Sequence, residues 1–148
     1  MNTQQISKCL KNERKFNGVF AANQIPRTGK EGGYIINTEN SSKPGQHWVA
    51  IYQDCKGKCE YFDSFGLPPI QFEIVEYISE FAPKGCRYNN LVMQQKNAIS
   101  CGLYCIFFLK CKFAGQTLDS FVSLFCTNSS HNEILIQSLA ARGIICSE

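Results

Sequence analysis

Apolar and polar positions change their spacing several times along the chain, and each change marks a predicted element. Residues 34–37, Tyr-Ile-Ile-Asn, form a short β-rich run. After a turn-forming stretch at 40–45, residues 46–52 carry branched and aromatic side chains and predict a second strand. Residues 53–58 read as a hairpin turn and 59–63 as a third strand. The segment 64–69 ends that strand, because proline cannot join a central ladder. From 71 to 81 the period becomes about 3.6, which predicts a helix with Ile74, Val75, Ile78 and Phe81 on one face. Pro83 and Gly85 stop it. Leu91-Val92-Met93 is a short strand candidate. Residues 101–113 are apolar almost all round, as in a helix buried on most sides, and Gly115 closes it. Two further helices are predicted over 117–126 and 131–142, with Ser129 or Ser130 as a cap and Gly143 as a stop. Of the remainder, residues 1–15 suit a short helix or an arm, 16–26 a turn or loop entering the fold, and 27–33 a loop. The expected class is α+β: a small mixed or antiparallel sheet packed on a buried central helix, with peripheral helices, in one domain spanning 1–148.

Composition narrows this picture. A chain of 148 residues with 44% hydrophobic and 18% charged positions suits one globular core. The net charge of +3 permits weak non-specific contact with DNA but is no nucleic-acid-binding stripe. The longest apolar run, 103–109, is too short to span a bilayer, so no membrane partner is expected. The polar start has no apolar segment before a cleavage site, so no secretory signal is expected. Nine cysteines would suggest a disulfide framework in a secreted domain. The odd number, and the placing of Cys101, Cys105, Cys111 and Cys126 in apolar helical stretches, point instead to a reducing compartment.

The chemistry gathers on few residues. A nucleophilic cysteine needs a lowered thiol pKa, a nearby base, and a group that fixes the base's tautomer. Cys101 follows a polar loop and opens the most apolar helix, where the helix dipole favours a thiolate; Gly102 beside it lets backbone approach a substrate carbonyl closely. There are only two histidines. His47 lies in a strand, whereas His131 reads as a polar residue in the first turn of the last helix. Asp63 ends the next strand, so antiparallel pairing would bring its carboxylate to His47. Gln95, on the loop before Cys101, is the candidate oxyanion donor together with the backbone N–H of Cys101, and Gln94 is the competing choice. Each residue taken singly has an ordinary structural reading: a strand histidine, a turn aspartate, a solvated loop glutamine. A rival reading of a different class is a zinc-bound or disulfide-linked module around Cys55 and Cys59, but no second close pair completes four ligands.

The segments Gly45-Gln-His-Trp-Val-Ala-Ile-Tyr52, Tyr61-Phe-Asp-Ser-Phe-Gly66 and Gln95-Lys-Asn-Ala-Ile-Ser-Cys-Gly-Leu-Tyr-Cys105, in that order, resemble the adenain and SUMO-protease clan of cysteine peptidases. The compact length and the opening Phe16-Asn-Gly-Val-Phe-Ala21 are more similar to the adenovirus-type maturation proteases and their relatives in DNA viruses and virus-like transposons. Asp63 and the spacing of Gln95 are the SUMO-protease choices, while Gln94 matches the adenovirus spacing. The resemblance implies a monomeric endopeptidase that trims virion or capsid precursors after small residues such as a Gly-Gly pair. Such an enzyme would act without metal or organic cofactor, in the host nucleus and cytoplasm and in the virion. Trp48 would wall a narrow substrate tunnel. In adenovirus enzymes a cysteine upstream of the oxyanion glutamine bonds to an activating viral peptide, with DNA as a further activator, and Cys86 lies in a comparable stretch, so the resemblance implies the same activation here. The alternative substrate is a ubiquitin-like modifier, released by an isopeptidase.

Overall fold

The computed structural model describes residues 1–42 and 47–146. Gln46, the start of the second predicted strand, and the end of the turn before it lie outside the described residues. Five strands form one mixed sheet in the order β1-β2-β3-β4-β5: β1 (Phe16–Ala21), β2 (Gly32–Asn37), β3 (Trp48–Gln53), β4 (Cys59–Phe62) and β5 (Cys86–Tyr88). The β2–β3 and β3–β4 pairs are antiparallel, and the two outer pairs are parallel. Helices α1 (Thr3–Leu10), α2 (Phe72–Phe81), α3 (Cys101–Phe113), α4 (Leu118–Val122) and α5 (Ser129–Ala141) cover the sheet. The expected α+β class is what the chain adopts.

Strand periodicity divides the core into two layers. In β3, Trp48 and Ala50 face one side with Ile35 and Phe62, against Tyr104, Cys105, Phe108 and Leu109 of α3. Val49 and Ile51 face the other side with Tyr34 and Ile36, against Ile74 and Tyr77 of α2. Both faces are therefore buried, which is why the central strands read as near-continuous apolar runs. The Phe62 ring stacks on Phe108 at 4.9 Å and meets Phe121 edge-on at 5.4 Å, fixing β4 to α3 and α4. A Cβ at Gly33 would lie 2.6 Å from Leu109 Cδ2, so a side chain there would push the Leu109 and Phe113 side-chain ends of α3 aside.

Several expectations are corrected. Residues 16–21 form a strand rather than a loop, added in parallel to β2. Residues 91–93 are not a strand: the N–H groups of Met93 and Gln94 both donate to the Ser64 carbonyl, and the fifth strand lies earlier, at Cys86–Tyr88. The buried face of α2 runs through Ile74 and Tyr77, with Val75 exposed. Helix α4 stops at Val122, leaving Cys126 exposed beyond it. The cap of α5 is Asn128, whose side chain accepts from the N–H groups of Ser130 and His131, rather than either serine. Seven cysteines are free, while Cys9 and Cys146 form a disulfide between α1 and the segment after α5. The sequence reading gave no pairing for these two; both lie against the α3-side core, which brings the distant segments together. Among the described residues no helix is long and apolar enough to cross a membrane.

Candidate active site

Strand β3, the end of β4 and the start of α3 converge at one corner of the molecule. The β3–β4 register pairs Ala50 with Phe62, so His47, just before β3, and Asp63, just after β4, extend from the same end of the ladder. His47 Nε2 lies 2.9 Å from Asp63 Oδ1, with the two side chains 17% and 6% exposed. The same carboxylate oxygen accepts the Phe65 N–H at 2.8 Å. Asn89, in the segment after β5, clamps the Asp63 backbone: its Nδ2 donates to the Asp63 carbonyl at 2.6 Å, and its Oδ1 accepts the Asp63 N–H at 3.0 Å. The Phe65 ring packs against the imidazole at 5.1 Å. The third element, Cys101, is the first residue of α3 and lines the same cavity as His47, whose imidazole acts on its thiol. Since Nε2 faces Asp63, the ring nitrogen left for the thiol is Nδ1.

The electrostatics follow from this placement. Burial alone would raise the Cys101 thiol, and it is the largest single influence. The hydrogen bond from His47, the backbone N–H groups of Trp48 and Gly102, and the imidazolium charge together outweigh it, holding the thiol below its ordinary value. Burial likewise pulls the His47 imidazole down, but Asp63 and Cys101 more than reverse this and it is pushed up to about 9. Both shifts favour the thiolate–imidazolium pair over the neutral thiol–imidazole pair. One turn along α3, the fully buried thiol of Cys105 donates to the Trp48 carbonyl at 3.3 Å and is driven well above its ordinary value by burial. Two cysteines on one helix face are thus set to opposite chemistry.

Of the two candidate oxyanion donors, the structure places Gln94 at the cleft and Gln95 away from it. Gln95 is exposed, and its backbone N–H donates to Glu133 at 3.3 Å. Gln94 is buried and lines the cavity of about 360 Å³ that contains His47, Trp48, Phe65 and Cys101. Its amide has one orientation: Oε1 accepts the Ser64 hydroxyl at 2.6 Å, and Nε2 donates to the Ala98 carbonyl at 2.7 Å, leaving its second N–H with no acceptor among the described residues. Sequence reasoning did not single out Ser64, although it directly follows Asp63; the signal was a serine placed where one strand end serves both the base and the glutamine. Glu133 was also missed. Its carboxylate accepts from Ser100 Oγ at 2.7 and 2.8 Å and from Tyr104 Oη at 3.2 Å, tying α5 to the start of α3.

Trp48 and Gly102 face each other at the cleft. A Cβ on Gly102 would lie 3.5 Å from Trp48 Cδ1 and 3.3 Å from Met1, while Trp48 Nε1–H donates to the Met1 carbonyl at 3.0 Å. Cys86 is not in this cavity; it lines a separate one. No group of three or more His, Cys, Asp or Glu side chains that could hold a metal gathers among the described residues.

A mixed sheet with a buried helix presenting a thiol to a His–Asp pair defines the catalytic domain of a cysteine protease. Residues 34–140 match the model of the Ulp1 protease family, C-terminal catalytic domain, and the chain belongs to that family. Its sequence relatives are proteins of DNA viruses. A cysteine protease of African swine fever virus (isolate Tick/Malawi/Lil 20-1/1983) is 27% identical over 109 residues, covering 66% of this chain and 40% of that protein. A protein of the same virus (isolate Pig/Kenya/KEN-50/1950), described as a SUMO-1 cysteine protease, is 26% identical over 102 residues, covering 62% and 37%. A protein of Acanthamoeba polyphaga mimivirus is 33% identical over 98 residues, covering 60% and 32%. The chain thus spans about two-fifths or less of the curated relatives it matches. Among solved folds, the African swine fever virus protease superposes with a TM-score of 0.62 at 19% identity, covering 90% of this chain and 63% of the other. The central domain of an uncharacterized Legionella pneumophila protein gives 0.55 at 14% identity, covering 96% and 94%.

Proposed function

We propose that this chain is a cysteine endopeptidase of a DNA virus or virus-like element, cleaving precursor proteins after small residues such as Gly-Gly. Cys101 acts as nucleophile, His47 as acid–base, Asp63 as its orienter and Gln94 as oxyanion donor. The observation that carries the reading is the imidazole of His47 held between Asp63 and the Cys101 thiol, which sits at a helix N-terminus with its pKa lowered. Cys101 Sγ attacks the scissile carbonyl carbon, and the developing oxyanion takes the free N–H of Gln94 Nε2 and the backbone N–H of Cys101. This backbone group is in the first turn of α3, where N–H groups have no intrahelical acceptor. As the tetrahedral intermediate collapses, the His47 imidazolium gives its proton to the leaving amine and a thioester remains. His47, now neutral, takes a proton from water as it attacks the thioester, and the acid product leaves with the thiol regenerated. The tight approach of Trp48 to Gly102 favours glycine beside the scissile bond.

A second reading keeps the chemistry and changes the substrate to a ubiquitin-like modifier. It is favoured by the Ulp1 family match and by a relative described as a SUMO-1 cysteine protease. Fluorogenic Gly-Gly peptides and full-length modifiers carrying the same fluorophore separate the two. The endopeptidase reading predicts cleavage of the short peptides, abolished by Cys101→Ala; turnover confined to intact modifiers overturns it in favour of the isopeptidase. The host nucleus, cytoplasm and virion as sites of action, a monomeric state, and activation by a peptide through Cys86 or by DNA belong to the same proposal. Rates with and without added peptide and DNA test the activation.

A further inference from the structure

The cavity that holds Cys101 has two walls of different origin. On one, Trp48 and Met1 lie against Gly102. On the other stand Phe65 and the loop that carries Gln94, Ala98 and Ile99. Hydrogen bonds and close packing make this second wall a single unit. The Ser64 carbonyl accepts from the N–H groups of Met93 and Gln94, and its hydroxyl donates to Gln94 Oε1. A Cβ on Gly66 would lie 2.9 Å from the Leu91 carbonyl, so the turn after Asp63 rests directly on the chain entering the loop. The loop is closed on itself, by Gln94 Nε2 on the Ala98 carbonyl at 2.7 Å and by the Ala98 N–H on the Gln95 carbonyl at 2.9 Å. Two apolar side chains are presented from this fixed frame. The Phe65 ring is partly exposed and packs 5.1 Å from the His47 imidazole, while its N–H is held by Asp63 at 2.8 Å. Ile99, two residues before the nucleophile, is 87% exposed. A single exposed isoleucine is ordinary on a surface. Here it shares the lining of the reaction cleft with a half-exposed phenylalanine, where a substrate would cover both.

Acyl-transfer chemistry decides which part of a substrate meets this wall. A glycine held between Trp48 and Gly102 puts the acyl half of the substrate on the first wall. The leaving amine takes its proton from His47, so the residue built on that nitrogen emerges beside the imidazole, where Phe65 is packed. Resting on the protease reading above, we propose that Phe65 and Ile99 form the leaving-group subsite and select an apolar residue directly after the scissile bond. The same subsite serves the reverse step, in which an amine replaces water. The amine nitrogen attacks the thioester carbonyl carbon and gives its proton to His47. The C–S bond then breaks, leaving a new amide and the Cys101 thiolate beside the imidazolium. An amine whose side chain fits against Phe65 and Ile99 captures the acyl-enzyme ahead of one that lacks a side chain.

The test is competitive capture of the acyl-enzyme formed from benzyloxycarbonyl-Gly-Gly ethyl ester. Leucinamide and glycinamide are supplied together at equal concentration, and the two tripeptide amides are separated by chromatography at early times, with Cys101→Ala as the blank. Leucinamide is expected to be captured about tenfold faster, the lower end of what a hydrophobic pocket yields. Phe65→Ala and Ile99→Ser each lower this preference, and the double variant abolishes it, whereas Phe65→Leu retains most of it. A phenylalanine that only buttresses His47 would slow both captures alike and leave their ratio where it was. Ile99 is a surface side chain, so its variant reads the subsite even if Phe65→Ala disturbs the imidazole. Turnover of the ester with equal capture of the two amides overturns the subsite alone. So does a preference for leucinamide that survives both substitutions. A wild type that neither hydrolyses nor aminolyses the ester overturns the protease reading, and the subsite falls with it.

Discussion

Gln94 makes three hydrogen bonds that fix both its backbone and its amide: its N–H donates to the Ser64 carbonyl, its Oε1 accepts the Ser64 hydroxyl, and its Nε2 donates to Ala98. Gln95, one residue on, has its side chain in solvent. Gln94→Ala is expected to lower kcat by about 10²–10³-fold with little change in KM, the usual cost of one oxyanion donor. Gln95→Ala should stay within about twofold of wild type, as a surface substitution does. Equal losses for the two variants, read by steady-state kinetics on one peptide, would count against the assignment. Ser64 acts on the reaction only through Gln94. Ser64→Ala should therefore reduce kcat while leaving the alkylation rate of Cys101 unchanged, because the thiolate–imidazolium pair does not include it. His47, Asp63 and Cys101 were legible in the sequence because each chemical type is scarce or sits at a telling position. That Gln94 rather than Gln95 faces the cleft was not, because it depends on which of two adjacent loop side chains turns inward, and that is set by the distant Ser64.

At the level of elements, α3 was readable to the residue because its apolar surface is continuous and its stops are sharp: a polar loop before it and Gly115 after it. Strands β1 and β5 were not. Both are edge strands, partly exposed and paired in parallel with one neighbour, so their existence rests on register rather than on an alternating pattern. The short apolar run 91–93 misled for the opposite reason: Met93 is buried, but its backbone is tied to Ser64 instead of a ladder. The loop carrying Gln94 is held from outside by α5, where Asn132 Nδ2 donates to the Met93 carbonyl at 3.2 Å and Glu133 accepts from Ser100 and Tyr104. Glu133→Ala leaves the buried Ser100 hydroxyl without its acceptor and Tyr104 Oη with only the Met93 carbonyl at 3.4 Å, at a cost of about 1–3 kcal/mol in stability. Chemical denaturation should show this loss, together with a reduced kcat. Glu133→Gln keeps an acceptor oxygen and is expected to restore most of both; a glutamine variant as impaired as the alanine variant would argue against the positioning role.

For the whole molecule, the two-layer core converts three separate chain segments into one rigid corner. Helix α3 is pressed onto β3 and β4 by Phe62, Phe108 and Phe121, and Cys101 is delivered beside a His47–Asp63 pair that the sheet has already aligned. The corner sets a pH window for activity. Raising the pH through about 9 removes the proton from His47, and with it the acid that serves the leaving amine. Lowering the pH through the depressed pKa of Cys101 protonates the thiolate. Activity should therefore hold across neutral pH, with its alkaline limb near 9. An alkaline limb near 6.5, the ordinary histidine value, would show that His47 is not coupled to the thiol.

The most direct measurement is the pH dependence of alkylation by limiting iodoacetamide, mapped by mass spectrometry over the free cysteines of the wild type and of His47→Ala. An activated Cys101–His47 pair predicts that Cys101 is alkylated first at neutral pH and that Cys105, on the same helix, stays unlabelled. In His47→Ala the Cys101 profile should move to higher pH, since the hydrogen bond and charge that lower its pKa are gone. Slow labelling of Cys101 on a par with the exposed Cys55 and Cys126, unchanged by the His47 substitution, would contradict the account.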